Sequence, residues 1–442
     1  MALAFVICRR GRMAPRLQKQ SIFSEPTFHI PTMKNQRTIG IIGGGASGMM
    51  AAIAAARLGA RVVLQEAQER VGKKILATGN GRCNLTNSRC SPAKYHGEHP
   101  DFCAGALHGF PVPSTTAFFE SLGALCKEED EGRVFPVTGQ ASTILDVLRA
   151  EIARLGIEVR TQAAVREIIP AAEGFVLRLT GGQLATDRVI VTAGGKAAPH
   201  LGGTDSGLHL LEKLGHSIAP AYPVLVPLKT DFRFGRHLKG VKMIAGVKLE
   251  IQGAPAGHES GEILFTEYGI SGPPIIQLSI SANAALLRKQ SVSLSLDLFP
   301  SWDEARLRDH LHDRYAARQE IPLDCACIGL VHKRMIVPFV QSSGIADAHL
   351  PAGRITPGET ERMARLLKQW KFAVTGSLSW KDAHVMAGGV RTDGFNADAL
   401  ESLRVKGLFA AGEVLDITGD CGGHNLQWAW ASGHTAGSSA AR

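Results

Sequence analysis

At 442 residues, 45% hydrophobic and 20% charged, the chain is too apolar to be disordered and long enough for two or three domains with real cores. It has no run of 18 apolar residues, so no membrane partner is expected. Its net charge of +9 invites a nucleic-acid reading, but residues 1–32 supply +4 of it (Arg9, Arg10, Arg12, Arg16 and Lys19 against Glu25), and the remaining +5 is mildly basic for such a body.

Residues 1–36 show no hydrophobic periodicity and are expected to be a disordered leader or a mis-assigned start. Their apolar stretch precedes the arginines and no cleavage-like segment follows, unlike a secretory signal. Met33 stands just before the first strand-like run.

TIGIIGGGASGMMAAIAAARLGARVVLQE, residues 38–66, carries the strongest pattern. Thr38–Ile42 reads as a buried strand, and Gly43-x-Gly45-x-x-Gly48 follows it directly. A helix rich in alanine and methionine runs to about Leu58, Gly59 stops it, and Ala60–Gln65 is a second buried strand. Gly43 permits the tight turn, Gly45 the approach of a pyrophosphate, and Gly48 close packing of helix on strand. The helix amino end, with Ala46 and Ser47 in its first turn, offers unpaired N–H groups to phosphate. Glu66, 18 residues past Gly48, can accept hydrogen bonds from a ribose.

ILATGNGRCNLTN, residues 75–87, has no apolar face of period two or 3.6 and is rich in hydrogen-bonding groups. It reads either as a ligand-holding loop or as a self-bonded Asx-turn loop that touches nothing. GFVLRLTGGQLATDRVIVTAGG, residues 174–195, reads as a hairpin and then a buried strand, closed by Thr192-Ala193-Gly194-Gly195. From 202 to 300, short strand-like runs (PVLVPLKT, KMIAGVKLEIQG, GEILFTE, SVSLSLDLF) separated by Gly and Pro predict a β-barrel insert. Residues 301–370 read as a helical subdomain. Ser301 and Glu304 suit a capping box there, and Leu307, Leu311 and Tyr315 recur at spacing four. Its Arg, Lys and His residues form a solvated face or a partner surface. Residues 371–385 are expected to return as a strand of the insert. In 405–437, Leu408–Ala411 is a short buried strand and Gly422-Gly423 opens a helix, whose amino end would favour developing negative charge.

The eight cysteines (Cys8, Cys83, Cys90, Cys103, Cys126, Cys325, Cys327, Cys421) include no C-x-x-C pair. That is a poor zinc or dithiol pattern, and free thiols in a cytoplasmic protein are expected.

Several segments resemble flavoproteins. Glu66-x-x-x-Arg70-x-Gly72-Lys73-Lys74 is similar to the extension found in glutathione-reductase-type enzymes. Gly412-Glu413 resembles the Gly-Asp pair that receives a ribityl chain. With GGGASG, KKILATGNGRCNLTN, GRVFPVTGQAS, PVLVPL, LFTEYGISGPP, MAGGV and GLFAAGEVLDITGDCGGHNLQWAW, the chain from about Arg37 resembles the YhiN/BaiN-like NAD(P)/FAD-dependent oxidoreductases, which include aminoacetone-oxidase-like flavoproteins. The resemblance implies an α/β fold with a discontinuous Rossmann-like FAD-binding domain (37–201 and 386–442), an inserted β-barrel and a small helical subdomain. It implies FAD contacts from Gly43, Gly45, Ala46, Ser47, Gly48, Glu66, Lys73, Lys74, Thr78, Gly79, Asn80, Gly81, Arg82 and Asn84. Val165, Ala193, Gly194, Gly389, Gly412, Glu413, Gly423, Asn425 and Leu426 complete that set. Four positions depart from the family: His424 (usually Tyr), Cys421, Met386 and Glu267.

The flavin would carry the redox step. Reduction of a C=C bond also needs an acid nearby, and the candidates are His424, Cys83 and Cys421, with Tyr268 from the insert. His424 equally suits a flavin-orienting role, and Cys83 a packed thiol. No second GxGxxG appears, so NADPH or NADH is expected as a transient electron donor. Three functions are consistent with these residues. One is an NAD(P)H-dependent reductase of an activated C=C bond in a small molecule or rRNA (uridine to dihydrouridine). The others are an FAD oxidase of small amines and a non-catalytic flavin-bearing binding protein.

Overall fold

The computed structural model describes residues 36–231 and 233–442, so the expected leader and the Met33 start lie outside the described residues. Five short strands form the central parallel sheet. Across it the order is Leu408–Ala410, Arg188–Val191, Thr38–Ile42, Arg61–Gln65 and Glu158–Arg160, and every neighbouring pair is parallel. Ile39, Ile41, Val63, Leu64, Val189 and Ile190 are fully buried, because a parallel sheet covered on both faces needs apolar residues on both. The first helix, Ala46–Arg57, packs against the last helix, His424–Ala441, and against Ala141–Arg154. An antiparallel meander (Val165–Pro170, Phe175–Leu179, Gly182–Thr186) closes on Gly40, where an added Cβ would stand 2.9 Å from both Leu177 and Thr186.

First and last helix touch backbone to backbone. A Cβ on Gly433 would lie 2.4 Å from the Ser47 carbonyl oxygen, and one on Gly437 2.3 Å from that of Ala51. The beginning and end of the chain's nucleotide fold are therefore locked at one crossing.

Strand Ile218–Val224 pairs antiparallel with Val385–Val390 and forms a ribbon outside the barrel. The barrel is closed and six-stranded, in the order Leu228–Thr230, Gly269–Ser271, Ala254–Phe265, Lys242–Ile251, Val292–Asp297 and Trp370–Ser377. A helix, Pro273–Leu287, interrupts this strand-rich stretch. Leu294 and Phe372 of the barrel share one core with Leu307, Leu311, Phe339 and Leu367 of the helical segment. That segment's first helix starts at Glu304, and its cap is Asp303 instead of Ser301. The Asp303 carboxylate accepts the Arg306 N–H at 2.7 Å, and it adds a negative charge at the positive helix end. The reciprocal capping box falls at Thr356 and Glu359. Among the described residues, no helix is long and apolar enough to cross a membrane, and no cluster suits a metal.

Candidate functional site

The glycine-rich turn is shaped from within at two glycines and open at the third. Gly43 has φ +106°, and a Cβ there would meet the Thr192 carbonyl at 2.5 Å. A Cβ on Gly48 would be 1.9 Å from the Gly43 oxygen. At Gly45 a Cβ would meet nothing within 4 Å. The first helix has no side-chain cap and no acid in its first turn, so the N–H groups of Ala46, Ser47 and Gly48 face that open space. Glu66 spans the crossover: one carboxylate oxygen accepts the Gly44 N–H at 2.8 Å and the other the Gln68 N–H at 2.7 Å. Val165 is buried at the start of the meander, beside Ala163, whose N–H donates to the Glu66 carbonyl at 2.9 Å. Lys73 lies on the rim, 3.8 Å from Glu69.

Lys74 reaches inward to Glu413 at 2.8 Å, and Glu413 also accepts the Met386 N–H at 2.8 Å. Gly194 approaches the same carboxylate, its Cβ position 3.8 Å from Glu413 Oε2. Ala193 backs the turn, 2.8 Å from a Cβ on Gly43. Gly412 has φ +78°, and a Cβ there would strike the Ser47 hydroxyl at 2.4 Å. Gly389 is needed for an internal approach, since its Cβ would lie 2.8 Å from the Val414 carbonyl.

The loop 75–87 is bound to the last helix and to strand Arg133–Pro136. It curls through the left-handed conformation at Gly79, Asn80, Gly81 and Cys83. The Thr78 hydroxyl donates to the Ile75 carbonyl and the Cys83 N–H to the Thr78 carbonyl. The Leu85 N–H donates to Val134, Trp430 Nε1 to the Leu85 carbonyl, and Thr86 to Gln427. Arg82 is engaged sideways, paired with Glu129 at 2.5 Å and stacked 4.1 Å over Phe135. Two polar atoms beside the loop remain buried without partners, Asn84 Oδ1 and His424 Nδ1. Between them stands Gly423 (φ +104°), whose Cβ would be 2.5 Å from the Thr86 carbonyl and 2.9 Å from Asn84 Oδ1.

The last helix also begins without a side-chain cap or a first-turn acid. Asn425 sets its direction by accepting the Gly419 N–H at 2.8 Å and donating to the Gly419 carbonyl at 2.7 Å, while Leu426 packs on the core. Burial lowers the His424 imidazole to about 4, so it is neutral at physiological pH. Burial pushes the Cys83 thiol up to about 12, which keeps it protonated. Cys421 is exposed. Tyr268 sits on the Thr266–Gly269 turn of the barrel, its carbonyl accepting the Thr230 N–H at 3.1 Å.

The structure adds a polar group that sequence reading missed. His96 Nε2 and Gln277 Nε2 each stand 2.7 Å from Asp420 Oδ1. Burial opposes ionisation of Asp420, but the bonds from His96 and Gln277 outweigh it and hold the carboxyl below its usual range. The Tyr95 hydroxyl donates to the His424 carbonyl at 2.9 Å. No local pattern marks these residues, which lie far apart in the chain.

Two bare helix amino ends, an open glycine between strand and helix, and two orphaned buried polar atoms fit a dinucleotide with a polar ring system. Gly433, at the helix crossing, lies nine residues after His424, so the amino ends are about 14 Å apart along the last helix. Fold and site together define an FAD-dependent oxidoreductase of the Rossmann type. The model of the HI0933-like protein Rossmann domain matches residues 37–439, and the chain belongs to that family. It is 38% identical over 410 residues to a 3-dehydro-bile acid delta(4,6)-reductase of Clostridium scindens, covering 91% of this chain and 98% of the relative. It is 30% identical to a ribosomal RNA dihydrouridine synthase of Escherichia coli, covering 89% and 95%. A protein of that name from Haemophilus influenzae is 28% identical, with 91% and 98% covered.

Proposed function

We propose that this chain is an NAD(P)H-dependent FAD reductase of an activated C=C bond, and that its substrate is a small conjugated carbonyl compound. The observation that carries the reading is the similarity to the bile acid reductase along 98% of that protein. The names of the relatives on both branches describe reductions. Identity is higher on the small-molecule branch, and the mildly basic body gives RNA less support.

In this reading Gly45 and the N–H groups of Ala46, Ser47 and Gly48 hold the pyrophosphate, and Glu66 the adenosine ribose. Lys74 and Glu413 border the ribityl chain. Loop 78–84 and the amino end of the last helix would hold the ring, which would give the unpartnered Asn84 Oδ1 and His424 Nδ1 a polar group to bond. Bound flavin supplies hydride chemistry. The uncapped helix end favours negative charge beside it. Neutral His424 orients without adding charge, and the buried Cys83 thiol packs. Thr192–Gly195 and the Val385–Val390 strand would help to exclude water from the bound cofactor.

Anaerobic stopped-flow mixing of the purified protein with NADPH and with NADH, followed by air, tests this. Fast bleaching with slow reoxidation is expected, and turnover of a conjugated enone should follow. No bleaching by either nucleotide, with bleaching by small amines and fast reoxidation in air, would replace the reading with an amine oxidase.

A further inference from the structure

Gln277 stands on the barrel helix Pro273–Leu287, yet both ends of its amide are committed to the turn that leads into the last helix. Its Oε1 accepts the Cys421 N–H at 2.7 Å and its Nε2 donates to Asp420 Oδ1 at 2.7 Å. The same carboxylate oxygen meets His96 Nε2 at 2.7 Å, and Asp420 Oδ2 lies 3.4 Å from Lys94 Nζ. The Asp420 N–H donates to the Lys94 carbonyl at 2.9 Å. His96 itself is carried by a two-residue strand, Tyr95–His96, paired to Thr418–Gly419. Turn, His96 and barrel helix are therefore joined in one hydrogen-bonded network.

The rest of that helix is anchored elsewhere. The Ser279 hydroxyl accepts the Val226 N–H at 3.2 Å, and Asn283 Nδ2 donates to the Pro223 carbonyl at 2.8 Å. Ile280 packs with Val224, Leu225, Val385 and Ala387 of the linker. These contacts seat the helix on the ribbon that joins insert to nucleotide fold. The ribbon reaches the residues just before the turn, the Thr418 hydroxyl donating to the Met386 carbonyl at 3.1 Å and the Asp416 N–H to the Val390 carbonyl at 2.8 Å, while the Gln277 amide joins the helix directly to Asp420 and Cys421 within the turn.

We propose that Gln277 is a positioning residue that couples the seating of the inserted barrel to the geometry of the Gly419–His424 turn and of the His96–Asp420 pair. The amide suits this because it donates and accepts at once. A hydrophobic residue does neither. A carboxylate would accept from Cys421 but face Asp420 with like charge. The charged and titratable groups around it are Asp420, Cys421, His424, Tyr95, His96 and Lys94 from the nucleotide fold, Glu131 and Arg133 from the neighbouring hairpin, and Glu259 and His258 from the barrel.

The proposal deepens the reading of the turn as ring-facing, and its test separates the two. Hydrogen–deuterium exchange over residues 416–426 is measured for the full chain, for Gln277→Leu and for Gln277→Glu, each relative to the unsubstituted protein at the same pH. The visible circular dichroism of bound FAD is recorded alongside. In Gln277→Leu, which loses the bonds to both Cys421 and Asp420, exchange in the turn should rise at least about tenfold, and the flavin signal should change. Gln277→Glu at pH 8 keeps an acceptor for the Cys421 N–H but sets a like charge against Asp420, so exchange should rise less than in the leucine variant. At pH 5 it should move back towards the parent, because the Asp420 charge raises the new carboxyl above its usual value of about 4.3 and a protonated carboxyl again presents one donor and one acceptor. Unchanged exchange in Gln277→Leu, or no difference between pH 8 and pH 5 in Gln277→Glu, overturns the coupling. Faster exchange with an unaltered flavin signal reduces Gln277 to a structural contact and overturns it too. If Gln277→Leu does not fold, the two pH values of Gln277→Glu decide. An unsubstituted protein that takes up no FAD defeats the proposed function, while the exchange data still judge the coupling.

Discussion

Gly45 separates what the fold needs from what a bound phosphate needs. Its backbone is extended (φ −79°, ψ −166°), a conformation open to any residue, and a Cβ there would meet nothing within 4 Å. Replacing it by alanine should therefore leave the apo fold intact, or stabilise it by about 0.4–1 kcal/mol through the unfolded chain. The added side chain projects into the space in front of three uncommitted helix N–H groups. In Gly45→Val, two charge-assisted bonds to phosphate are lost at about 1.5–3 kcal/mol each. At about 1.4 kcal/mol per decade, FAD binding should weaken roughly 10²–10⁴-fold. Gly48→Ala is the contrast: its Cβ would sit 1.9 Å from the Gly43 oxygen, so folding itself should fail or weaken sharply. Thermal unfolding of the apo forms and fluorescence titration with FAD measure both quantities. A Gly45→Val protein that folds and binds FAD as tightly as the parent would refute the pyrophosphate site.

Two buried histidines should shape the acid limb of stability. His216 and His424 are each lowered to about 4 by burial, so the unfolded chain takes up their protons first as pH falls below its value near 6.5. Their contribution is complete above that pH and declines as pH drops towards 4, by about 3 kcal/mol each. Urea midpoints measured from pH 7 to pH 4 should show this slope, and His216→Gln should flatten it; an unchanged slope contradicts the burial argument. Gly437→Ala should destabilise although alanine is the better helix former by about 1 kcal/mol. Its Cβ falls 2.3 Å from the Ala51 oxygen, so the last helix must lift from the first. A raised melting temperature would show that the crossing can yield.

The nucleotide half of the molecule was legible because its constraints are local. A strand, three glycines, a helix and a second strand occupy 38–65; Gly48 is explained by Gly43 just before it and Gly45 by open space, and only Gly43 answers to a distant neighbour, the Thr192 carbonyl. The same logic says less where the neighbour is distant. Gly389 is expected from the resemblance to contact FAD, and in the fold Gly388 and Gly389 are also crowded by the Pro220 and Val414 carbonyls. A glycine shows that something comes close without saying what. The helix Pro273–Leu287 was not read at all. Ile275, Ile276 and Ile280 are β-branched, and the helix is buried on much of its circumference, so no amphipathic period betrays it. Gln277 is one polar residue within that run. It meets Asp420 across 143 positions and His96 meets Asp420 across 324, separations at which no spacing rule operates. What binds a nucleotide is written as a motif because phosphate recognition uses backbone conformation. What joins insert to turn uses single side chains from three separate elements, and only the folded chain brings them together.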